Sequence, residues 1–226
     1  MVELAVPGSL GITVAGESLV LLPGRAVFWP RTRTLVIADM HLGKGDHFRR
    51  AGIALPRGGT DHDLARLDAL IEATGAVRLL VLGDLLHASV RDAPWREAWQ
   101  RWRARHAALT VVLVAGNHDR ALRGAPVLAA SMGLELHGDR LIEAPFAFVH
   151  DVDDFAPAPS LYRLGGHVHP VVRLPGVPRL PAFVFADDAG LLPAYTAFAG
   201  GLPVTPGGAR LFACAPDAVV ALPPAV

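Results

Sequence analysis

The chain has 226 residues, 52% of them hydrophobic, and its 21 lysines and arginines balance 21 aspartates and glutamates. That length and apolar share suit one folded domain over residues 1–226, while zero formal charge excludes capture of a polyanion by net charge and permits only a local basic patch. A lone cysteine, Cys214, excludes an internal disulfide, a zinc knuckle and a redox pair; with no long apolar run and no leader pattern, the expectation is a soluble cytoplasmic protein with no membrane partner.

In chain order, residues 19–22 and 26–29 are short apolar runs between Gly and Pro and predict hairpin strands, followed by a central strand over 35–38. Residues 41–59 lack an apolar period and read as a long loop or loop-helix rim carrying Lys44, Arg49, Arg50 and Arg57 among glycines. Thr60 with Asp63 resembles a capping box and opens a helix through Leu64, Leu67 and Ile71 that Gly75 ends. Arg78 leads into a second long strand. Residues 92–107 predict a helix with Pro94 in its first turn and Trp95, Trp99, Trp102 and His106 along one stripe. That stripe reads as core, with an exposed partner-binding or DNA-contacting face as the alternative. A third strand follows in the run before Gly116, then a weaker helix over about 121–132. Strands are predicted over 134–136, 141–143, 146–149, 161–164, 182–185, 195–199 and 211–213. An alternating βαβα half followed by a mostly β half fits two packed sheets flanked by helices.

The chemistry-bearing residues fall at strand ends. TLVIADMH supplies Asp39 and His41, LLVLGDLLH supplies Asp84 and His87, TVVLVAGNHD supplies Asn117, His118 and Asp119, and His150 with Asp151 and the pair His167 and His169 follow later runs. Open α/β sheets place ligands at the carboxyl ends of their strands. Asp-x-His and His-x-His put alternate side chains on one side of an extended backbone, so both members can face one cavity. Several imidazoles with carboxylates and one amide suit two divalent first-row metals, manganese, iron or zinc, better than magnesium alone. A lone histidine after a strand is ordinarily a polar loop residue, but five strand ends ordered in this way are not a coincidence of composition. His47, His62, His106 and His137 lack such company and read as structural.

Together these motifs resemble the calcineurin-like metallophosphoesterases. The resemblance implies a four-layer α/β/β/α sandwich of two mixed sheets. It also implies a first metal on Asp39, His41, Asp84 and His169, and a second on Asn117, His150 and His167 with Asp84 bridging. A hydroxide between the metals would be the nucleophile, and His118 the general acid for the leaving oxygen. Protein phosphatases of the superfamily carry GDxxDRG, whereas this chain reads GDLLHAS; His87 replaces the carboxylate, as in DNA-repair nucleases, and is assigned to substrate or general-acid support. The stretches LVIADMHLGKGDHFRRAGIALP, GDLLHAS, GNHD, GGHVHP and LLPAYTAFAGG are similar to the bacterial ligase-associated DNA-damage-response phosphoesterases. That likeness implies a manganese-dependent phosphodiesterase with DNA endonuclease activity beside a helicase and an ATP-dependent ligase. Lys44, Arg49 and Arg50 are then candidates for flanking DNA phosphates. A small-molecule phosphodiesterase of the same fold is the alternative, favoured by the zero net charge. A non-catalytic scaffold is disfavoured because no expected ligand is substituted.

Overall fold

The computed structural model describes residues 6–54, 58–87, 95–205 and 207–223. The first sheet has seven strands in sequence order: β1 (Leu10–Val14), β2 (Glu17–Leu22), β3 (Ala26–Trp29), β4 (Thr34–Ala38), β5 (Arg78–Leu82), β6 (Thr110–Val114) and β7 (Glu135–His137). Pairing is antiparallel as far as β4 and parallel from β4 to β7. The parallel part is buried on both faces, which is why its strands are unbroken apolar runs rather than alternating ones. Leu35, Ile37, Leu79, Val81, Val111 and Leu113 face one core cluster, while Val36, Ala38, Leu80, Leu82, Val112 and Val114 face the other.

The first of those clusters is closed by helices. Leu64 and Leu67 of α2 (Gly59–Thr74) and Trp95, Trp99 and Trp102 of α3 (Trp95–Arg105) pack there. The tryptophan stripe is therefore core, not an exposed partner face: Trp99 is 1% and Trp102 0% exposed. The indole N–H groups of these two are satisfied, Trp99 donating to the Met132 carbonyl at 3.0 Å and Trp102 to Asp68 Oδ1 at 2.6 Å. Removing a buried tryptophan leaves a large cavity, so Trp102→Ala is expected to cost about 3–5 kcal/mol of unfolding free energy. Urea denaturation checks this, and an unmoved midpoint would mean that the stripe is not load-sharing core.

The second sheet joins β14 (Leu202–Pro203), β11 (Pro170–Val172), β12 (Leu180–Phe185), β13 (Ala189–Leu191), β10 (Tyr162–Gly165), β9 (Phe146–Val149) and β8 (Arg140–Glu143) in that order, with β15 (Arg210–Cys214) and β16 (Val219–Ala221) added beside β12. Its inner face meets the first sheet through Phe146, Phe148, Phe183, Phe185 and Phe212 with Trp29. This is an α/β sandwich of two mixed sheets flanked by few helices. No helix among the described residues is long and apolar enough to cross a membrane.

Several local expectations are narrowed or corrected. Of the two readings of residues 41–59, long loop or loop-helix rim, the second holds, since residues 44–50 form a helix, α1 (Lys44–Arg50). The predicted cap at Thr60 is not made: the helix begins one residue earlier, behind Gly58 at φ 86°, so Thr60 is already inside it and Asp63 is held by Arg66. The start predicted at Asp92 and Pro94, like Arg57, lies outside the described residues. The weak helix over 121–132 is two, α4 (Arg120–Arg123) and α5 (Pro126–Ser131), because Pro126 has no N–H to continue the first ladder and fits the first turn of the second. Residues 195–199 are not a strand. The Tyr195 N–H donates to the Ala38 carbonyl at 2.8 Å, Arg66 donates to the Tyr195 carbonyl and Arg25 to that of Thr196, so this segment packs as a loop over the end of β4.

Candidate metal centre

Each predicted strand end opens on the same place. Asp39 and His41 follow β4, Asp84 and His87 follow β5, Asn117 and His118 follow β6, His150 follows β9, and His167 and His169 follow β10. The chain must turn sharply there, and the turn is taken by the chemistry-bearing residues themselves. Asp39 (φ 54°), His41 (φ 50°), Asp84 (φ 49°), His167 (φ 64°) and His169 (φ 51°) are five of the eight described non-glycine residues at positive φ. Such backbones cost on the order of 1–3 kcal/mol each and persist where the surroundings over-determine them, most often at functional sites. Two motif glycines admit the carboxylates: a Cβ on Gly116 would lie 2.3 Å from Asp84 Oδ1, and one on Gly166 2.3 Å from Asp39 Oδ2.

Two groups of ligand atoms result, Asp39 with His41 and His169, and Asp39 with Asp84 and His150, the atoms of each lying within 4.8 Å of one another. Asp39 belongs to both. Asp84 also spans them, with Oδ2 4.0 Å from His41 Nε2 and Oδ1 3.6 Å from His150 Nε2. On the second side, His150 Nε2 lies 2.8 Å from Asn117 Oδ1 and 3.0 Å from His167 Nδ1. The opposite ring nitrogen, Nδ1, lies 3.2 Å from the Leu82 carbonyl, and a proton donated there leaves Nε2 with a lone pair aimed at the other acceptors. On the first side the Nε2 atoms of His41 and His169 are 3.4 Å apart, and Asp39 Oδ1 is buried without a hydrogen-bond donor. Burial, with Lys44 and the other imidazoles close by, pushes the His41 pKa down to about 2, so its ring is a neutral donor. Lone pairs converging with nothing between them to donate fit a cation at each group.

His118 and His87 stand on the open side. Their rings stack with centroids 5.3 Å apart, His118 Nδ1 lies 3.3 Å from the His87 carbonyl, and His118 Nε2 lies 3.9 Å from Asp84 Oδ2. Burial, followed by Lys44 and the neighbouring imidazoles, lowers the His87 pKa to about 4. His87 is therefore neutral near neutral pH. His47, read from sequence as structural, joins this group with its ring 5.1 Å from that of His87. No spacing rule reveals it, because α1 brings it in through the fold.

The three basic candidates separate. Lys44 is half-buried and sits within the field of Asp39 and Asp84, although burial outweighs them and lowers its pKa. Arg49 is bound to Asp46 and lines a separate 340 Å³ cavity with Trp95, while Arg50 is exposed on α1. Residues that the sequence reading passed over lie elsewhere. Arg120, Arg123 and Phe155 line a 580 Å³ cleft shared with Asn117, His150 and His167. Their position directly after GNHD was the available signal for the arginines.

Asp119 is wholly buried but is no ligand. Its carboxylate accepts the Gly116 N–H at 2.9 Å, the Leu86 N–H at 3.0 Å and the Leu85 N–H at 3.4 Å, and so ties the loop after β6 to the loop after β5. Asp119→Asn puts an amide N–H against one of those donors. The expected result is a 10- to 100-fold loss of metal affinity, the usual scale for a support behind the ligands. Isothermal titration with manganese measures it, and wild-type affinity would show that the loops hold each other without the carboxylate.

With this geometry in place the comparisons are decisive. The family model for the calcineurin-like phosphoesterases matches residues 32–191. The chain belongs to that family. A solved structure of the Pseudomonas putida nuclease MPE is similar at 38% identity and a TM-score of 0.81, covering 95% of this chain and 100% of that one. The phosphoesterase YfcE from E. coli matches at 16% identity and a TM-score of 0.48 over 83% of this chain and 96% of that one. No curated protein matches. As a calcineurin-like phosphoesterase the chain is a hydrolase of phosphoester bonds in a divalent-metal-dependent family, and the two ligand groups are its candidate metal-binding residues.

Proposed function

We propose that this calcineurin-like phosphoesterase is a two-metal phosphodiesterase that cleaves DNA internally. The observation that carries the reading is the pair of ligand groups spanned by Asp39 and Asp84, with the His87–His118 stack on their open side. One metal would be held by Asp39, His41, Asp84 and His169, the other by Asn117, His150 and His167 with Asp84 shared; the mixed nitrogen and oxygen donors suit manganese, with zinc or iron as competitors. Bound there, the cations would supply Lewis acidity toward the phosphoryl oxygens and make water a nucleophile near neutral pH.

The chain's own residues do the rest. Asp84 accepts the backbone N–H of His118 at 2.9 Å, which fixes that loop beside the ligands. The His87 carbonyl accepts a hydrogen bond from His118 Nδ1–H, so Nε2 faces the reacting centre, and the ring in its doubly protonated form can give its Nε2 proton to the departing oxygen and be left neutral with Nδ1–H still on the carbonyl. His87 stands where protein phosphatases of the superfamily carry a carboxylate, and the full-length likeness to the P. putida nuclease supports a nucleic-acid substrate. The proposal extends to a role in cytoplasmic DNA repair beside a helicase and an ATP-dependent ligase. The test is cleavage of circular single-stranded DNA, supercoiled duplex and a bis-aryl phosphodiester by metal-stripped protein given back manganese, zinc or magnesium. Metal-dependent cleavage of DNA and the small diester supports the proposal. Hydrolysis of the small diester alone overturns the nuclease part and leaves a small-molecule phosphodiesterase.

A further inference from the structure

Beside the metal centre lies a cleft of 580 Å³ lined by arginines, carboxylates and one aromatic ring. Volumes of 300–1,000 Å³ are usual for sites that take one organic ligand. Asn117, His150 and His167 line both this cleft and the metal centre, so anything seated in it continues from the reacting phosphorus. To its lining α4 contributes Arg120 and Arg123, three residues apart on one helix face. Arg123 is anchored by donating to the Ala115 carbonyl, and Arg120 has no carboxylate partner among the described residues. The segment after β9 brings Phe155, half-buried, with Asp151 and Asp154, and Asp139 adds a further carboxylate to the lining.

The carboxylates decide which way round a ligand lies. Asp151 is engaged, accepting the Asp153 N–H at 3.0 Å and lying 3.6 Å from His167 Nε2, and Asp139 lies 3.7 Å from Arg140. Asp154 beside Phe155 still repels an anion from that part of the lining. A phosphate is therefore drawn to the arginines of α4, since Arg140, the cation near Phe155, lies over that ring at 5.5 Å and 3.7 Å from Asp139. The aromatic ring and the carboxylate acceptors offer the rest of a ligand a flat face and partners for ring or amino N–H groups. One ligand class carries an anion at one end and a flat N–H-bearing ring at the other, and that is a nucleotide.

We infer that this cleft is the subsite for the nucleotide next to the scissile phosphate, with Arg120 holding its phosphate and Phe155 stacking its base. The inference rests on the nuclease reading above and gives that reading its specificity. A duplex keeps its bases stacked inside, so a base on Phe155 must come from an unpaired strand. A small aryl diester has nothing to place there.

The experiment compares kcat/KM of wild type, Arg120→Ala, Arg120→Lys and Phe155→Ala, each loaded with manganese, on a single-stranded oligonucleotide and on a bis-aryl phosphodiester. The ratio of oligonucleotide to aryl-diester kcat/KM is expected to fall about 10- to 100-fold in both alanine variants, through KM. Arg120→Ala alone should flatten the dependence of log KM on log salt by about 0.7, the slope of one lost phosphate contact on a single strand. Arg120→Lys should restore most of that slope. Wild-type ratios in the variants, or equal losses on both substrates, overturn the subsite. A wild-type enzyme that hydrolyses only the aryl diester instead overturns the nuclease reading and takes the subsite with it, so the two failures are told apart by which protein shows them.

Discussion

Asp84→Ala is expected to lose at least one metal and about three to five orders of magnitude in turnover together, the scale of a lost Lewis acid at several kcal/mol. The reason is geometric. Asp84 is the carboxylate whose two oxygens face opposite ligand groups, at 4.0 Å from His41 Nε2 and 3.6 Å from His150 Nε2, and it also accepts the His118 N–H. Removing it strips charge from both groups and frees the loop that carries the proposed acid. Metal content by plasma emission gives the readout independent of activity. Stability should move the other way in chelator: Asp39 and Asp84 are both buried within 4.8 Å with no cation between them, so losing one carboxylate relieves like-charge repulsion. The wild type should then gain more thermal stability from added manganese than the variant does. A variant that keeps two metals or full turnover would defeat the bridging role.

The legible part of this protein was the part governed by local chemistry. Strands β4, β5 and β6 could be read because burial on both faces demands unbroken apolar runs, and each ends where a motif glycine lets a carboxylate approach. The same logic placed Asp39, Asp84, Asn117, His150 and His167 at strand ends, and these meet at one end of the sandwich, the first three from the first sheet and the last two from the second. The illegible part depends on tertiary partners. The helix α1 has no apolar stripe to betray it, because it faces the metal centre through Lys44, in the field of Asp39 and Asp84, and His47, whose ring lies 5.1 Å from that of His87. The segment at 195–199 has strand-like residues but spends its N–H groups on the ends of β4, with Arg25 and Arg66 fixing its carbonyls. Strands such as β13 and β14, three and two residues long, are too short to show a period.

The stored strain follows the same division. Five of the proposed ligands sit at positive φ, and the residues that hold them there are backbone N–H groups and carboxylates from other loops. The His167 N–H donates to Asp39 Oδ2 at 2.9 Å as the His118 N–H does to Asp84, so each ligand carboxylate is aimed by the loop of another ligand. Pre-aimed donors need little reorganisation when charge develops at phosphorus. A sequence shows the ligands but not this cross-bracing.

That cross-bracing makes His118 separable into two parts. Its backbone N–H serves Asp84 and survives mutation to alanine, whereas its imidazole, held through Nδ1 on the His87 carbonyl, is the part offered as proton donor. His118→Ala is therefore expected to retain both metals and wild-type stability yet lower DNA cleavage by about two to four orders of magnitude, the range for losing a general acid. The defect should depend on the leaving group. A DNA strand departs as an alkoxide that needs a proton, while an aryl oxide with an electron-withdrawing ring departs without one, so the loss on a bis-aryl diester should be far smaller. A series of aryl leaving groups of rising basicity measures this directly: the variant's rate should fall more steeply across the series than the wild type's. Equal slopes would assign the imidazole to substrate positioning, and loss of metal would assign it to the metal centre itself.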